Sequence, residues 1–233
     1  MTLFITFEGP EGSGKSTQAR ILYETLHTRR YPVILVREPG GTRISDLIRR
    51  IVLDLQHAEM EPTTETLLFS AARAQLVSEV IRPYLAQGGI VLCDRYADST
   101  FAYQGYGLGR DLDELRAITA AATGGLRPHM TLFLSLSAAE GLDRKLRRRR
   151  DTTRPAVPED GRGGPVEWNR LDARELEYHQ RVEQGYREMI ALDPERWLPV
   201  DARLSIDALA AQILAAVEPR LSAVQRLEAE YRP

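Results

Sequence analysis

A three-layer α/β fold, with a parallel five-stranded sheet between two layers of helices, is predicted by two features of the sequence. Short apolar runs recur at residues 3–7, 33–36, 90–93, 131–134 and 197–200, each nearly continuous rather than alternating. Segments with helical apolar spacing separate them. Continuous apolar strands suit a sheet covered on both faces, and strands alternating with helices suit parallel crossovers.

The first run, Leu-Phe-Ile-Thr-Phe at 3–7, is β-branched and aromatic and stops at Gly9. From 18 to 26, Ile21, Leu22 and Leu26 fall on one helical face, so the chain opens as strand, glycine loop, helix. Further helices are expected over 42–53, 63–86, 111–123, 138–149, 172–191 and 205–217. Between Arg150 and Trp168 the periodicity gives way to Pro155, Pro158, Pro165, Gly161, Gly163 and Gly164 among charges, a mobile insertion rather than a domain boundary. With no internal repeat, residues 1–233 read as one domain carrying an insertion at about 147–170. The segment 218–233 reads as helical and solvated.

Composition excludes several classes. The 233 residues carry 31 Lys and Arg against 33 Asp and Glu, net charge -2, so no polycationic surface for nucleic acid is expected. The lone Cys93 sits in an apolar strand as a small hydrophobe, and no Cys/His cluster has zinc-ligand spacing, which fits a reducing cytoplasm. The amino-terminal stretch lacks a basic region and no run reaches the ~20 apolar residues of a membrane span, so neither export nor membrane association is expected. His27, His57, His129 and His179 lie outside every motif and read as surface or structural residues.

Gly9, Pro10, Glu11, Gly12, Ser13, Gly14, Lys15 and Ser16 match G-x-x-x-x-G-K-[ST] between a strand and a helix, the context that this phosphate-binding loop requires. Glycines let successive N–H groups converge on phosphate oxygens at the positive end of a helix. The loop, with Thr17 following, therefore predicts a P-loop fold that binds a nucleoside triphosphate, Lys15 bridging the β- and γ-phosphates and Ser16 ligating Mg²⁺. The strand 90–93 ends on Asp94, a second ligand for Mg²⁺ or its waters, although an acid after a strand also serves as a turn or cap residue.

Phe7-Glu8-Gly9, Arg37-Glu38-Pro39-Gly40-Gly41-Thr42, Phe69-Ser70-Ala71-Ala72-Arg73-Ala74-Gln75, Asp94-Arg95-Tyr96, Ser99 and Ala102-Tyr103-Gln104-Gly105 together resemble the motifs of the thymidylate kinases, in that family's order and over most of the chain. The resemblance implies a homodimeric nucleoside monophosphate kinase that uses ATP and Mg²⁺ to convert dTMP to dTDP, on the way to dTTP for DNA. It implies that Phe69 stacks on thymine, Arg73 bonds a base carbonyl, Arg37 and Arg95 hold the acceptor phosphate, and Tyr103 lies against the sugar. Glu11, Pro39, Ser99, Thr100 and Gln104 fall among its other dTMP contacts.

The residues themselves support this in part. An arginine pair at strand ends suits bidentate phosphate recognition, and an aromatic platform suits any base. By pattern alone Phe69, among Leu67, Leu68 and Leu76, also reads as core, and Tyr96, Tyr103 and Tyr106 as ordinary aromatics. A monophosphate acceptor is already largely ionised near neutral pH, its second pKa being about 6, so positioning and positive charge are needed rather than a general base. Lys145, Arg147, Arg148, Arg149 and Arg150, then Arg154 and Arg162, read as a lid over ATP, or else as a solvated helix end, a polybasic patch or a site for nucleic acid. Glu11 in the loop resembles the bacterial type whose lid supplies arginine, which makes Lys15, Arg95, Arg150 and Arg154 the catalytic set. Ala72, in place of a frequent acid, and Asn169-Arg170, in place of Asp-Arg, depart from the family pattern. Two rival readings are a deoxynucleoside kinase, which needs a carboxylate base, and a regulatory or nucleic-acid-binding module that uses ATP as a switch.

Overall fold

A computed structural model describes residues 2–150, 168–222 and 224–226 of the chain. Its centre is a five-stranded sheet in the order β2-β3-β1-β4-β5, formed by β1 (Leu3–Glu8), β2 (Val33–Arg37), β3 (Ile90–Asp94), β4 (Met130–Ser135) and β5 (Trp197–Asp201). All four pairings are parallel, as the continuous apolar runs require. The register places Phe7 beside Asp94 and Arg37 beside Asp94 on the other side, so the carboxyl ends of β1, β2 and β3 come together at one end of the sheet.

One face of the sheet packs on α1 (Lys15–Thr28) and α9 (Ile206–Leu221), through Leu22, Leu26, Leu209, Ile213 and Val217 against Ile5, Phe7, Leu92 and Leu132. The remaining helices are α2 (Arg43–Leu53), α3 (Pro62–Leu76), α4 (Arg82–Ala86), α5 (Ala97–Thr100), α6 (Leu112–Thr123), α7 (Ala138–Arg150) and α8 (Leu176–Leu192). Two further apolar clusters use the other face: Phe4, Val91 and Cys93 pack on Leu76, Val77 and Ile81, and Phe133 and Trp197 pack on Tyr103, Tyr178 and Tyr186. Among the described residues, no helix is long and apolar enough to cross a membrane.

The five expected strands are present, and four departures from the expected helices have local causes. The 63–86 helix is interrupted by a π-helical stretch, Val77–Ile81, where the Arg82 N–H reaches back to Val77 O just before Pro83, which has no N–H to donate. The segment 97–107, unassigned by periodicity, forms α5 and a second π-helical stretch, Phe101–Gly107. Helix α8 begins at Leu176 rather than 172, because Asp172 and Asn169 instead close a turn: Asn169 N donates to Asp172 Oδ2, and Leu171 N to Asn169 Oδ1. The solvated helix expected over 218–233 ends at Leu221; Val224 is buried and Arg226 lies over the Tyr31 ring, while 227–233 fall outside the described residues.

Candidate active site

The phosphate-binding loop lies between the end of β1 and the first residue of α1. Gly12 has φ 68°, and a Cβ there would stand 2.1 Å from Gly141 O; equally, a Cβ at Gly141 would stand 2.1 Å from Glu11 O. Glycine at both positions therefore lets α7 lie directly on the loop backbone. Lys15 is 7% exposed and folds its ammonium back onto the loop, donating to Gly9 O at 3.0 Å, Pro10 O at 2.7 Å and Ser13 Oγ at 3.3 Å. Burial, helped by the nearby Arg95 charge, lowers its pKa to about 8, against the pull of Glu11, Asp94 and Glu8.

Ser16 and Asp94, the two expected Mg²⁺ ligands, are brought together: Ser16 Oγ donates to Asp94 Oδ2. Arg95 follows with φ 68°, a left-handed conformation that turns its side chain back across the loop. Its Nη2 donates to Glu11 Oε1 at 2.5 Å and to Tyr103 OH at 2.8 Å. Its Nη1 makes longer bonds, to Ser99 Oγ at 3.2 Å, Gly9 O at 3.3 Å and Tyr186 OH at 3.4 Å. The guanidinium also lies over the Tyr103 ring, 4.8 Å from its centre.

Two carboxylates of different character flank this arginine. Burial pushes the Glu8 carboxyl up, aided by the Asp98 charge, while Ser99, Tyr186 and the Tyr96 N–H donate to it at 2.7, 2.7 and 2.8 Å. Burial also opposes ionisation of Glu11, but Arg95, Lys145 and Lys15 outweigh it and hold that carboxyl well below the usual range. Lys145 Nζ stands 2.6 Å from both carboxylate oxygens of Asp172 and 3.4 Å from Glu11 Oε2. Burial, with the Glu11 charge next, raises Asp172 to about 6.

The expected dTMP-binding residues divide into exposed and enclosed ones. Arg37 is exposed at the end of β2 and Pro39 is buried behind a cis peptide, with Pro39 O accepting from Arg49. Phe69 is half-buried beside Leu68, packed on the cluster that contains Tyr103. Arg73 is buried and saturated by the protein: Nε on Glu38 at 2.7 Å, Nη1 on Thr100 Oγ1 at 2.9 Å and Nη2 on Tyr96 O at 3.2 Å. Thr100 and Gln104 are enclosed too, and Gln104 Nε2 donates to Glu65 Oε1 at 2.8 Å. Of the expected catalytic set, Lys15 and Arg95 meet at the loop, Arg150 is exposed at the last position of α7, and Arg154 lies outside the described residues, as does Arg162. Arg149 stacks on Trp168 at 5.6 Å, and Arg147 pairs with Asp143 at 2.8 Å.

Sequence reasoning missed the groups that brace these side chains. Glu8 stood inside a quoted motif without a role, although a carboxylate closing a buried strand must find donors. Tyr186 and the Glu65 cluster, in which Arg170 Nη2 and Arg174 Nη2 each reach Glu65 Oε2 at 2.6 Å, come from α3, α8 and the turn before α8, with no local pattern to join them.

A parallel sheet in this order, with a lysine-bearing glycine loop between β1 and α1 and a carboxylate at the end of β3, defines a P-loop nucleoside-triphosphate-binding protein. The family model described as thymidylate kinase matches residues 7–213. The chain is 76% identical over 229 residues to a thymidylate kinase of a Roseiflexus species, covering 98% of this chain and 99% of the relative. It is 61% identical to one of Herpetosiphon aurantiacus, covering 97% of this chain and all of the relative. The crystal structure of a thymidylate kinase from Ehrlichia chaffeensis superposes with a TM-score of 0.70 at 27% identity, over 93% of this chain and 98% of that one. The chain belongs to the thymidylate kinase family, whose members are nucleoside monophosphate kinases.

Proposed function

We propose that this chain transfers the γ-phosphoryl group of ATP to dTMP, giving ADP and dTDP, with Mg²⁺. The observation that carries the reading is Arg95: left-handed, at the tip of β3, its guanidinium spans the phosphate loop at Gly9 and Glu11 and presents an edge held only by bonds of 3.2 to 3.4 Å. Such an edge can exchange for acceptor-phosphate oxygens beside the lysine that meets the donor.

Lys15 leaves its loop carbonyls for the β- and γ-phosphates, whose charge matches an ammonium kept short of solvent. The loop N–H groups and the amino end of α1 take the remaining phosphate charge. Ser16 and Asp94 are a hydroxyl and a carboxylate, hard oxygen donors few enough to leave other positions to phosphates and water, which fits Mg²⁺. Held by Ser16 and Asp94, the ion would supply positive charge against the charge developing on the transferring group. The acceptor oxygen needs no base, so no carboxylate is assigned to proton abstraction. Arg37 joins Arg95 on the acceptor phosphate, Phe69 stacks on the base, and Arg150 and Arg154 add charge at the transferring phosphoryl.

Pairing of two chains belongs to the same reading. Ile44, Leu47 and Ile51 on α2 and Leu67 on α3 are 42%, 47%, 46% and 51% exposed, an apolar strip at helical spacing that a second copy would cover. A cytoplasmic location accords with a nucleotide-making enzyme.

The experiment is an assay with ATP and Mg²⁺ against a panel of nucleoside monophosphates and thymidine. Selective formation of dTDP is expected; turnover of thymidine in preference to dTMP would overturn the reading in favour of a deoxynucleoside kinase.

A further inference from the structure

We infer that Lys145 is a positioning residue for Arg95, acting through Glu11; the inference rests on the proposed role of Arg95 in holding the acceptor phosphate. The backbone contact between Gly141 and Glu11 sets α7 on the phosphate loop. Lys145, one turn beyond Gly141 on the same helical face, therefore points back at the loop. There its ammonium sits between two carboxylates, 2.6 Å from Asp172 and 3.4 Å from Glu11.

The Glu11 carboxylate is divided between opposite sides. Oε1 receives Arg95 Nη2 at 2.5 Å and Tyr103 OH at 2.9 Å, whereas Oε2 faces Lys145. Arg95 is divided as well: the Nη2 edge is anchored by its bonds of 2.5 and 2.8 Å, and the Nη1 edge is held by three longer ones. A dianionic phosphate arriving at Nη1 competes with Glu11 for the same guanidinium and repels it. Lys145 is the cation on the far side of Glu11 that keeps the carboxylate where Nη2 needs it. Asp172, with no side-chain exposure and a further bond from Asn169 N, fixes the lysine in turn. Lys145 is thus committed to Asp172 and Glu11, and its effect is carried by the orientation of Arg95.

The test is steady-state kinetics of the full chain with ATP and dTMP. Lys145→Met is expected to raise the KM for dTMP on the order of tenfold, the scale of one lost charge-assisted contact, with the KM for ATP changed less than about twofold. Lys145→Arg should restore most of the loss. Because Lys145→Met strands Asp172 as a buried unpaired charge, Lys145→Met with Asp172→Asn is measured beside it and should show the same selective rise in a folded protein. In a Glu11→Gln background, Lys145→Met should add less than about twofold, since the path through Glu11 is already broken. Equal rises in both KM values, an unchanged KM for dTMP in the folded double variant, or full additivity with Glu11→Gln would overturn the inference. A wild-type chain that does not phosphorylate dTMP overturns the functional reading itself and is scored before any variant.

Discussion

The Ser16 hydroxyl donates to Oδ2 of Asp94, joining the first turn of α1 to the carboxyl end of β3 across 78 sequence positions. Each group has its partner in the other, and both are oxygen donors at the mouth of the phosphate loop. Ser16→Ala and Asp94→Asn should each raise the Mg²⁺ concentration for half-maximal activity on the order of tenfold, because each removes one ligand or the charge that orders a ligand's waters. A Mg²⁺ titration at fixed ATP reads this directly. Superimposable curves for the variants and the wild type would exclude both residues from the metal site.

Phe69→Ala should raise the KM for dTMP more than the KM for ATP, since a base–aromatic stack is worth about 1–3 kcal/mol, or roughly 5- to 150-fold. Phe69 is half-buried against the Tyr103 cluster, so part of the cost falls on stability, and a melting curve must accompany the kinetics. Phe69→Leu, which keeps apolar volume and loses the ring, separates the two contributions. If Leu restores dTMP binding, Phe69 is a core residue and not a platform.

The strands and the phosphate loop were legible because their signals are local: an apolar run, a glycine pattern, a lysine and a serine next to each other. Asp94 was legible as the end of such a run, whereas the role given to Arg95 came from its motif. What the sequence hid were relations between distant elements and exceptions to helical hydrogen bonding. Nothing local announces that Asp172 caps a turn around Lys145 instead of starting α8. The π-helical stretch Phe101–Gly107, which orients Tyr103 towards Arg95 and Glu11, has too few turns for periodicity to register. The thymine-directed roles of Arg73, Thr100 and Gln104 came from motif likeness alone. Their side chains are enclosed and bonded to Glu38 and Tyr96 O, to Arg73, and to Glu65, respectively, so base contact there requires those bonds to be shared or exchanged.

Leu47 lies at the middle of the apolar strip on α2 and is 47% exposed. If a second chain covers this strip, Leu47→Glu places a charge in the interface and should convert the dimer to monomer at micromolar concentration, while fold and melting behaviour of the protomer stay close to wild type. Sedimentation velocity on both proteins decides it. A monomeric wild type, or a variant that sediments as the wild type does, would remove this face from the assembly.

Glu38 supplies the pH dependence that can be signed. Burial raises its pKa from 4.5 to about 7, and the Arg73 ion pair at 2.7 Å offsets only part of that, leaving Oε1 buried without a partner. Between pH 4.5 and about 7 the unfolded chain has lost this proton and the folded chain still holds it. The stability owed to the group is therefore complete below that window and is lost as pH rises through it, by up to ~3 kcal/mol. Glu38→Gln keeps the size and an acceptor for Arg73 without titrating. The stability of the wild type relative to Glu38→Gln should then fall steadily as pH rises across the window, measured by denaturant unfolding at each pH. A difference that stays flat, or that grows with pH, would mean that the ion pair with Arg73 dominates burial and that Glu38 is ionised in the folded chain throughout.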